Sequence, residues 1–300
     1  MLIHTYRPAT LLKVSGGDAL AFLQGQFTNE LRQPVGAAVY GLWLNQKGKV
    51  LADSHLLRLA EDEFYAVSIQ SPAAVIRARL EDYIVADEVS LTDETAQVHG
   101  LAVSGAGSGE IIGQVAGGVP PAGQFARRGE AVVFAGRRRR EENYELIGAA
   151  KTVAEMKQKI LALGAREAAA EEMEFARITN ALPCIPQDLG PGDLPNEGGL
   201  EEAALSFTKG CYLGQEVMAR LKNLGQVRRR LHVIRGEGAV PAPLAALYQG
   251  ERKVGQVRSA AARGNEFGAL AMLSLVKLDL AAGLSLGPDL APSVQIIPHG

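Results

Sequence analysis

The sequence predicts an α+β protein with a separate β-rich unit at its carboxyl end. Three observations carry that expectation. The chain has 300 residues, more than one hydrophobic core usually organises, so two or three modules sharing a surface are expected. Over the first two-thirds, helical and alternating apolar patterns succeed one another without a regular βα repeat. After Gln226 the pattern changes to short alternating runs punctuated by glycine and proline.

The elements follow in order. Leu11 to Val14 reads as a strand ended by Gly16-Gly17, and Asp18 occupies the N-cap position of an amphipathic helix over ALAFLQG. AAVYGLWLN, QKGK and VLADSHLLRL, starting at Ala37 and ending at Leu59, read as strand, turn and strand. A further strand over Glu63 to Ile69 leads through Ser71-Pro72 into the helical run PAAVIRARLEDYI, proline being tolerated in a first helical turn. Beyond Val89, short apolar runs are divided by the glycine-rich punctuation GAGSGE and AGGVPPAG, and a strand pair is expected over Arg137 to Ile147. Helices are expected over Thr152 to Leu163 and Ala168 to Asn180. The loop CIPQDLGPGDLPNEGG after them is too long for a simple connector and is a candidate functional loop. RRRLHVIRG, ALYQG, RKVGQVRS, GALAMLSL and SVQIIP supply the strands of the carboxyl-terminal unit.

With 31 basic and 33 acidic side chains, the composition argues against a protein built mainly to coat nucleic acid. No apolar run reaches membrane-spanning length and no basic leader precedes one, so a soluble cytoplasmic protein is expected. The two cysteines, Cys184 and Cys211, form no CxxC pair and have no histidine cluster nearby, which points to neither a zinc site nor a disulfide framework; free thiols suit a reducing compartment. Arg137 to Arg140 and Arg228 to Arg230 are read as solvated strand faces in preference to an RNA track, since alternation puts only every second arginine on one side.

Cys211 lies in TKGCYLGQE. Lys209 would favour its thiolate by Coulomb attraction, and a helix starting near Gly214 would add positive potential from free amides. Gly210 and Gly214 allow close backbone approach, and Tyr212 offers a face for a flat ligand. The octapeptide KGCYLGQE, with Gln215 and Glu216 at its end, resembles the signature of the YgfZ family. That family comprises folate-binding proteins related to the glycine cleavage T-protein, an aminomethyltransferase, and to the mitochondrial iron–sulfur assembly factor of the same lineage. LQGQFTNEL (23–31), NQKGKVL (45–51) and PNEGGLEEAALSFT (195–208) resemble further family segments in the same order, and GALAML (268–273) fits more weakly.

The resemblance implies a T-protein-like folate-binding fold of two α+β modules with a C-terminal β-barrel. Residues 1–225 would form the folate-binding region, as interleaved modules of 1–90 plus 168–225 and of 91–167, and residues 226–300 the barrel. It implies a tetrahydrofolate or related reduced folate bound centrally, near Glu197 and the Cys211 turn. The P-x-E-x-x-L setting of Glu197 resembles the T-protein segment whose glutamate contacts the ligand, which implies Glu197 as the acceptor for the pteridine's adjacent N–H groups, a pair that one carboxylate can take in a bidentate contact. Lys47, Lys49 and Arg220 are candidate partners of the glutamyl carboxylates, and Gln26, Thr28 and Asn29 offer further polar groups. Where the T-protein carries paired aspartates, this chain has Ala52 and Asp53, which counts against aminomethyl transfer and leaves Asp53 as the remaining acid. Its only tryptophan, Trp43, is not where relatives stack one on the pterin, a stretch held here by Met173 or Phe175.

The implied function is an accessory one, supporting assembly or repair of iron–sulfur enzymes, including those that modify tRNA, with these enzymes as clients and any effect on tRNA indirect. The alternatives are a folate-dependent one-carbon transferase and a tRNA-binding accessory protein. Cys211 can then carry a one-carbon unit, hold a transient sulfur or cluster intermediate, or sense oxidation.

Overall fold

The computed structural model describes residues 1–224 and 227–298. The amino-terminal part comprises β1 (Leu2–Tyr6), β2 (Thr10–Ser15), α1 (Ala19–Gln26), β3 (Ala38–Leu44), β4 (Val50–Ala60), β5 (Glu63–Ser68), α2 (Ala73–Glu81) and β6 (Ser90–Asp93). Next come β7 (Val98–Ser104), α3 (Ser108–Ala116), β8 (Phe125–Arg128), β9 (Ala131–Ala135), β10 (Asn143–Ala149), α4 (Ala150–Ala162) and β11 (Arg166–Glu167). Three helices, α5 (Ala170–Thr179), α6 (Glu201–Ala204) and α7 (Gln215–Leu224), precede β12 (Arg229–Glu237), β13 (Ala246–Gln249), β14 (Arg252–Arg263), β15 (Glu266–Ser274) and β16 (Val294–Ile297). The boundary expected between residues 225 and 226 falls outside the described residues.

Among the described residues three sheets form, in the orders β3-β4-β5-β2-β6, β11-β1-β7-β10-β9-β8 and β13-β14-β15-β12-β16. The third is an antiparallel half-barrel in which register shifts at Leu247/Tyr248 and Val257/Ser259 help to bend the strands. β1 crosses into the second sheet, pairing antiparallel with β7 and parallel with β11, because Ile3 completes a core with Leu101 and Val103. The amino-terminal strand was not expected from the sequence; it places residues 2–6 in the same sheet as β7 to β11.

Strand alternation gives the first sheet two different faces. Ala52, Leu56 and Phe64 face α1 and α2, in a core with Leu23, Phe27 and Trp43. Leu11, Leu57 and Val67 meet Val132, Phe134 and Ile147 of the second sheet. A further core joins the hairpin residues Leu44 and Val50 to Phe175, Tyr212 and the half-barrel residues Leu231 and Met272.

Three local expectations are corrected. The Asp18 carboxylate does not cap α1; it accepts the Glu88 N–H at 2.8 Å, tying the helix start to the segment before β6. GAGSGE is more than punctuation, since Ser108 opens α3, whose Ile112, Val115 and Ala116 are buried between left-handed glycines at 107 and 117. Arg137 to Arg140 lie on the loop between β9 and β10, not on a strand.

Candidate functional site

β4 has two faces, and the one carrying Asp53 and His55 opens, beside the apolar contact between the first two sheets, on a cavity of about 260 Å³. Tyr40 from β3, Val67 and Ser68 from β5, Arg137 and Arg138 from the β9–β10 loop, Glu145 from β10, Met173, Glu174 and Arg177 from α5, and Cys184 from the following loop also line it. Asp53 is held from both sides, its Oδ2 accepting from Tyr40 Oη at 3.0 Å and its Oδ1 from Ser71 Oγ at 2.6 Å. Burial raises its pKa, and the hydrogen bonds from Ser71 and Tyr40 with the Arg137 charge oppose that rise. Two arginines of the wall are matched: Arg138 Nε donates to Glu145 at 2.6 Å, and Arg177 engages both oxygens of Glu174 and, at 2.6 Å, Asp188. His55 is depressed to about 3 by burial and then by Arg137, so at neutral pH it is an uncharged imidazole. Burial pushes the Cys184 thiol up to about 12, against the Arg177 charge, leaving it a protonated, soft contact.

Of the expected site residues only Asp53 lies on this cavity, and of the two side chains in the tryptophan's place Met173 does, while Phe175 belongs to the central core. Neighbouring residues were not found from sequence. A buried histidine two positions from Asp53 on the same strand face was the available signal for His55. None existed for Tyr40, whose role depends on a hairpin partner.

The three motifs around Cys211 do converge, but on one another. Lys209 Nζ is buried and donates to the carbonyls of Phe27 and Asn29, both at 2.8 Å, and burial lowers its pKa to about 8. Its first role is therefore to fasten the signature turn to the end of α1. Thr28 is fully buried, its hydroxyl donating to Ala204 O at 2.7 Å and accepting from Leu42 N at 2.8 Å. Tyr212 is not a stacking face: only 5% exposed, it packs in the central core, where burial raises its pKa to about 12. Gly214 has φ +85°, and a Cβ there would lie 2.9 Å from Asn45 O and 3.0 Å from Gly48 Cα, so the signature seats directly on the hairpin turn. Gly210 is exposed with open space around its Cα.

Gln215 opens α7 and its side-chain amide donates to Lys209 O at 3.4 Å, while Glu216 and Arg220 form a solvent-exposed ion pair along that helix. Gln26 ends α1 with its Oε1 buried and without a hydrogen-bond partner among the described residues. On the hairpin, Asn45 Oδ1 accepts the N–H groups of Lys47 and Lys49, and the Lys47 side chain is exposed. Cys211 is an exposed free thiol on this turn, and Cys184 a buried one in the cavity wall. A hydrogen-bonded path links the two places: Lys209 to Asn29 O, Asn29 Nδ2 to Tyr40 O at 2.9 Å, and Tyr40 Oη to Asp53.

Glu197 has other partners than those expected. Its Oε1 accepts Arg229 Nε at 2.7 Å and its Oε2 accepts Leu194 N at 2.7 Å and Arg229 Nη2 at 3.1 Å. Arg229 and Arg258 also reach Asp193, at 2.8 and 3.1 Å, so this loop is an electrostatic latch onto the half-barrel. Position 52 corrects a second inference. Ala52 is buried in the core under α1 and α2, on the opposite face from Asp53, so the missing acid takes nothing from the cavity.

The arginine runs are largely drawn inward or paired. Arg138 stacks 4.2 Å from the Tyr6 ring centroid and Arg137 3.8 Å from that of Tyr40; Arg139 pairs with Glu141, and Arg140 Nε donates to Asn180 O. Arg229 belongs to the latch. Neither an RNA track nor a solvated strand face describes the first run.

Residues 8–209 match the family described as GCVT N-terminal domain, and residues 228–295 that described as CAF17, C-terminal beta-barrel domain. The chain is 32% identical over 231 residues to the tRNA-modifying protein YgfZ of Edwardsiella ictaluri, covering 75% of this chain and 68% of that one. It is 29% identical over 308 residues to the human mitochondrial iron-sulfur cluster assembly factor IBA57, covering 96% and 82%. The crystal structure of the glycine cleavage system aminomethyltransferase T from Bartonella henselae superposes with a TM-score of 0.80 at 18% identity, covering 94% of this chain and 81% of that one, which establishes a common fold.

Proposed function

Since the chain belongs to the YgfZ/CAF17 family, a GCVT-type domain followed by a CAF17-type barrel, we propose that it is a tetrahydrofolate-binding accessory protein supporting iron–sulfur protein assembly or repair in the cytoplasm, tRNA-modifying iron–sulfur enzymes included. The names of its relatives support the process. The observation that carries the ligand is Asp53, a half-buried carboxylate on a cavity wall with no ion-pair partner among the described residues.

The residues present fit the ring of a reduced folate. The cavity, about 260 Å³, lies near the lower end of small-molecule sites, roughly 300 Å³, which suits a bicyclic head with its tail outside. Tyr40 and Ser71 occupy one lone pair on each Asp53 oxygen, leaving acceptor capacity for two adjacent N–H donors. When bound, a reduced folate supplies a carrier for a one-carbon unit. Tyr40 and Ser71 orient the acceptor, and neutral His55 and the protonated Cys184 add no charge to compete with it.

Cys211 faces solvent outside this wall, so its thiol is offered to a partner protein more readily than to the ring, and the Lys209–Asn29–Tyr40 path fixes the turn relative to the cavity. One experiment tests both parts. Tetrahydrofolate titrated into Asp53→Asn should bind roughly tenfold or more weakly than to wild type, the worth of one charge-assisted hydrogen bond of about 1.5–3 kcal/mol. In a deletion strain, Asp53→Asn and Cys211→Ser should each fail to restore iron–sulfur enzyme activity under oxidative stress. Unchanged affinity removes the ring site, and full complementation by Cys211→Ser removes the thiol role.

One-carbon transfer is the second reading. It is favoured by Asp53 itself, whose raised pKa inside a cavity suits proton exchange, and it is not weakened by Ala52. Ammonia release from an aminomethyl donor in the presence of tetrahydrofolate would establish it.

A further inference from the structure

Arg137 is the one arginine of its run with no protein acceptor among the described residues. Arg138, Arg139 and Arg140 each donate to a carboxylate or carbonyl, whereas Arg137 places its guanidinium carbon 3.8 Å over the Tyr40 ring and forms neither an ion pair nor a hydrogen bond with any described residue. It is half-buried and lines the cavity. Stacking occupies one face of the guanidinium and leaves its in-plane N–H fork directed away from the ring. Beside it, Arg138 Nη2 is buried without a partner, a second donor on the same wall that lacks an acceptor. Tyr40, under Arg137, donates its hydroxyl to Asp53. The wall therefore presents donors at one end and a carboxylate acceptor at the other, joined through one tyrosine.

We propose that Arg137 reads an exocyclic oxygen of the cavity ligand, so that the wall selects a heterocycle edge carrying N–H donors beside an oxo group. This rests on the folate reading for the natural ligand, but the edge chemistry is shared by 4-oxo-pteridines and by guanine nucleosides. Asp53 takes the N–H groups and Arg137, aided by Arg138, takes the oxygen. The ligand supplies what the protein leaves out, an acceptor for a stacked, partly desolvated guanidinium.

Arg137 has no ion-pair partner to leave exposed, so its variants should fold, which thermal unfolding checks. Calorimetric titration of wild type, Arg137→Met and Arg137→Lys with tetrahydrofolate, with its 4-thio counterpart and with guanosine tests the assignment. Replacing oxygen by sulfur keeps the N–H donors and weakens only the acceptor. Wild type should prefer the oxo form by roughly tenfold, one charge-assisted hydrogen bond. Arg137→Met should reduce the preference to less than about threefold by weakening the oxo ligand alone, and Arg137→Lys should fall between.

A methionine variant that binds tetrahydrofolate and keeps the tenfold preference overturns the role of Arg137 and leaves the folate reading intact. Guanosine binding that depends on Arg137, with no tetrahydrofolate binding, supports the edge assignment and overturns the folate reading. Binding of none of the three by wild type overturns both.

Discussion

His55 lies between two aromatic rings, with centroids 5.1 Å from Tyr40 and 4.9 Å from Phe134, and burial together with the Arg137 charge holds its pKa at about 3. Unfolded, the same imidazole titrates near 6.5, so between those values the unfolded chain binds one proton more than the folded one and stability falls with falling pH. Over the 1.5 pH units from 6.5 to 5 the loss is about 2 kcal/mol, at 1.36 kcal/mol per unit. Asp53 acts in the opposite sense: its raised pKa favours the folded state as acid is added, above the unfolded carboxylate value near 3.9. Urea unfolding of wild type and His55→Gln at pH 7 and pH 5 separates them, since Asp53 is common to both. Wild type should lose about 2 kcal/mol more than the variant, and parallel losses would mean that the imidazole takes up its proton in the folded state. Neither the depressed histidine nor the unpaired Arg137 was legible in the sequence, because the first depends on burial and on Arg137, and the second on Tyr40, all brought together only by strand pairing and loop closure. Asp53 was legible, because the hairpin motif that locates it is local.

The signature octapeptide and the hairpin over residues 45–51 are recognisable separately, yet the structure makes them two sides of one contact. Gly48, at φ +69°, would place a Cβ 3.0 Å from Val217 and Met218 on α7, while Gly214 would press its own against Asn45 O and Gly48 Cα. At Gly214 the added Cβ would meet backbone, which cannot yield, whereas at Gly48 it would meet side chains of α7. Gly214→Ala should cost roughly 2–4 kcal/mol, combining left-handed strain with the collision. Gly210→Ala, four residues earlier but exposed and uncrowded, should stay within about 0.5 kcal/mol. Denaturant unfolding of the pair checks the contrast, and equal effects would mean that the turn does not seat on the hairpin. Most elements were readable from periodicity, including β3, β4, α4, α5 and the half-barrel strands. Misreadings came where glycine or arginine dominated composition: α3 hid between glycines, and four consecutive arginines masked a loop whose side chains turn inward.

At the scale of the molecule, the half-barrel is held to the rest by an apolar core and by the latch of Asp193, Glu197, Arg229 and Arg258. The fold class was legible because the motif order spans the chain, but the division of labour among its acids was not. Glu197, buried, and Asp53, half-buried, are both carboxylates in family segments, and their partners set them apart, two arginine nitrogens for one and two hydroxyls for the other. A carboxylate already saturated by a guanidinium has little capacity left for a ligand, whereas one held by hydroxyls keeps its charge uncompensated. Arg229→Met should therefore cost about 2 kcal/mol, since Glu197 loses its counter-charge while Asp193 keeps Arg258, and the 38% exposure of the Arg229 side chain moderates the penalty. Glu197→Gln should be milder, an amide oxygen still accepting from Arg229. In that variant tetrahydrofolate affinity should stay within about twofold of wild type, against the tenfold or greater loss expected for Asp53→Asn. The same titration decides between two placements of the ring: if Glu197→Gln weakens binding as much as Asp53→Asn does, the ligand contacts the latch as well, and the latch couples folate occupancy to the seating of the half-barrel.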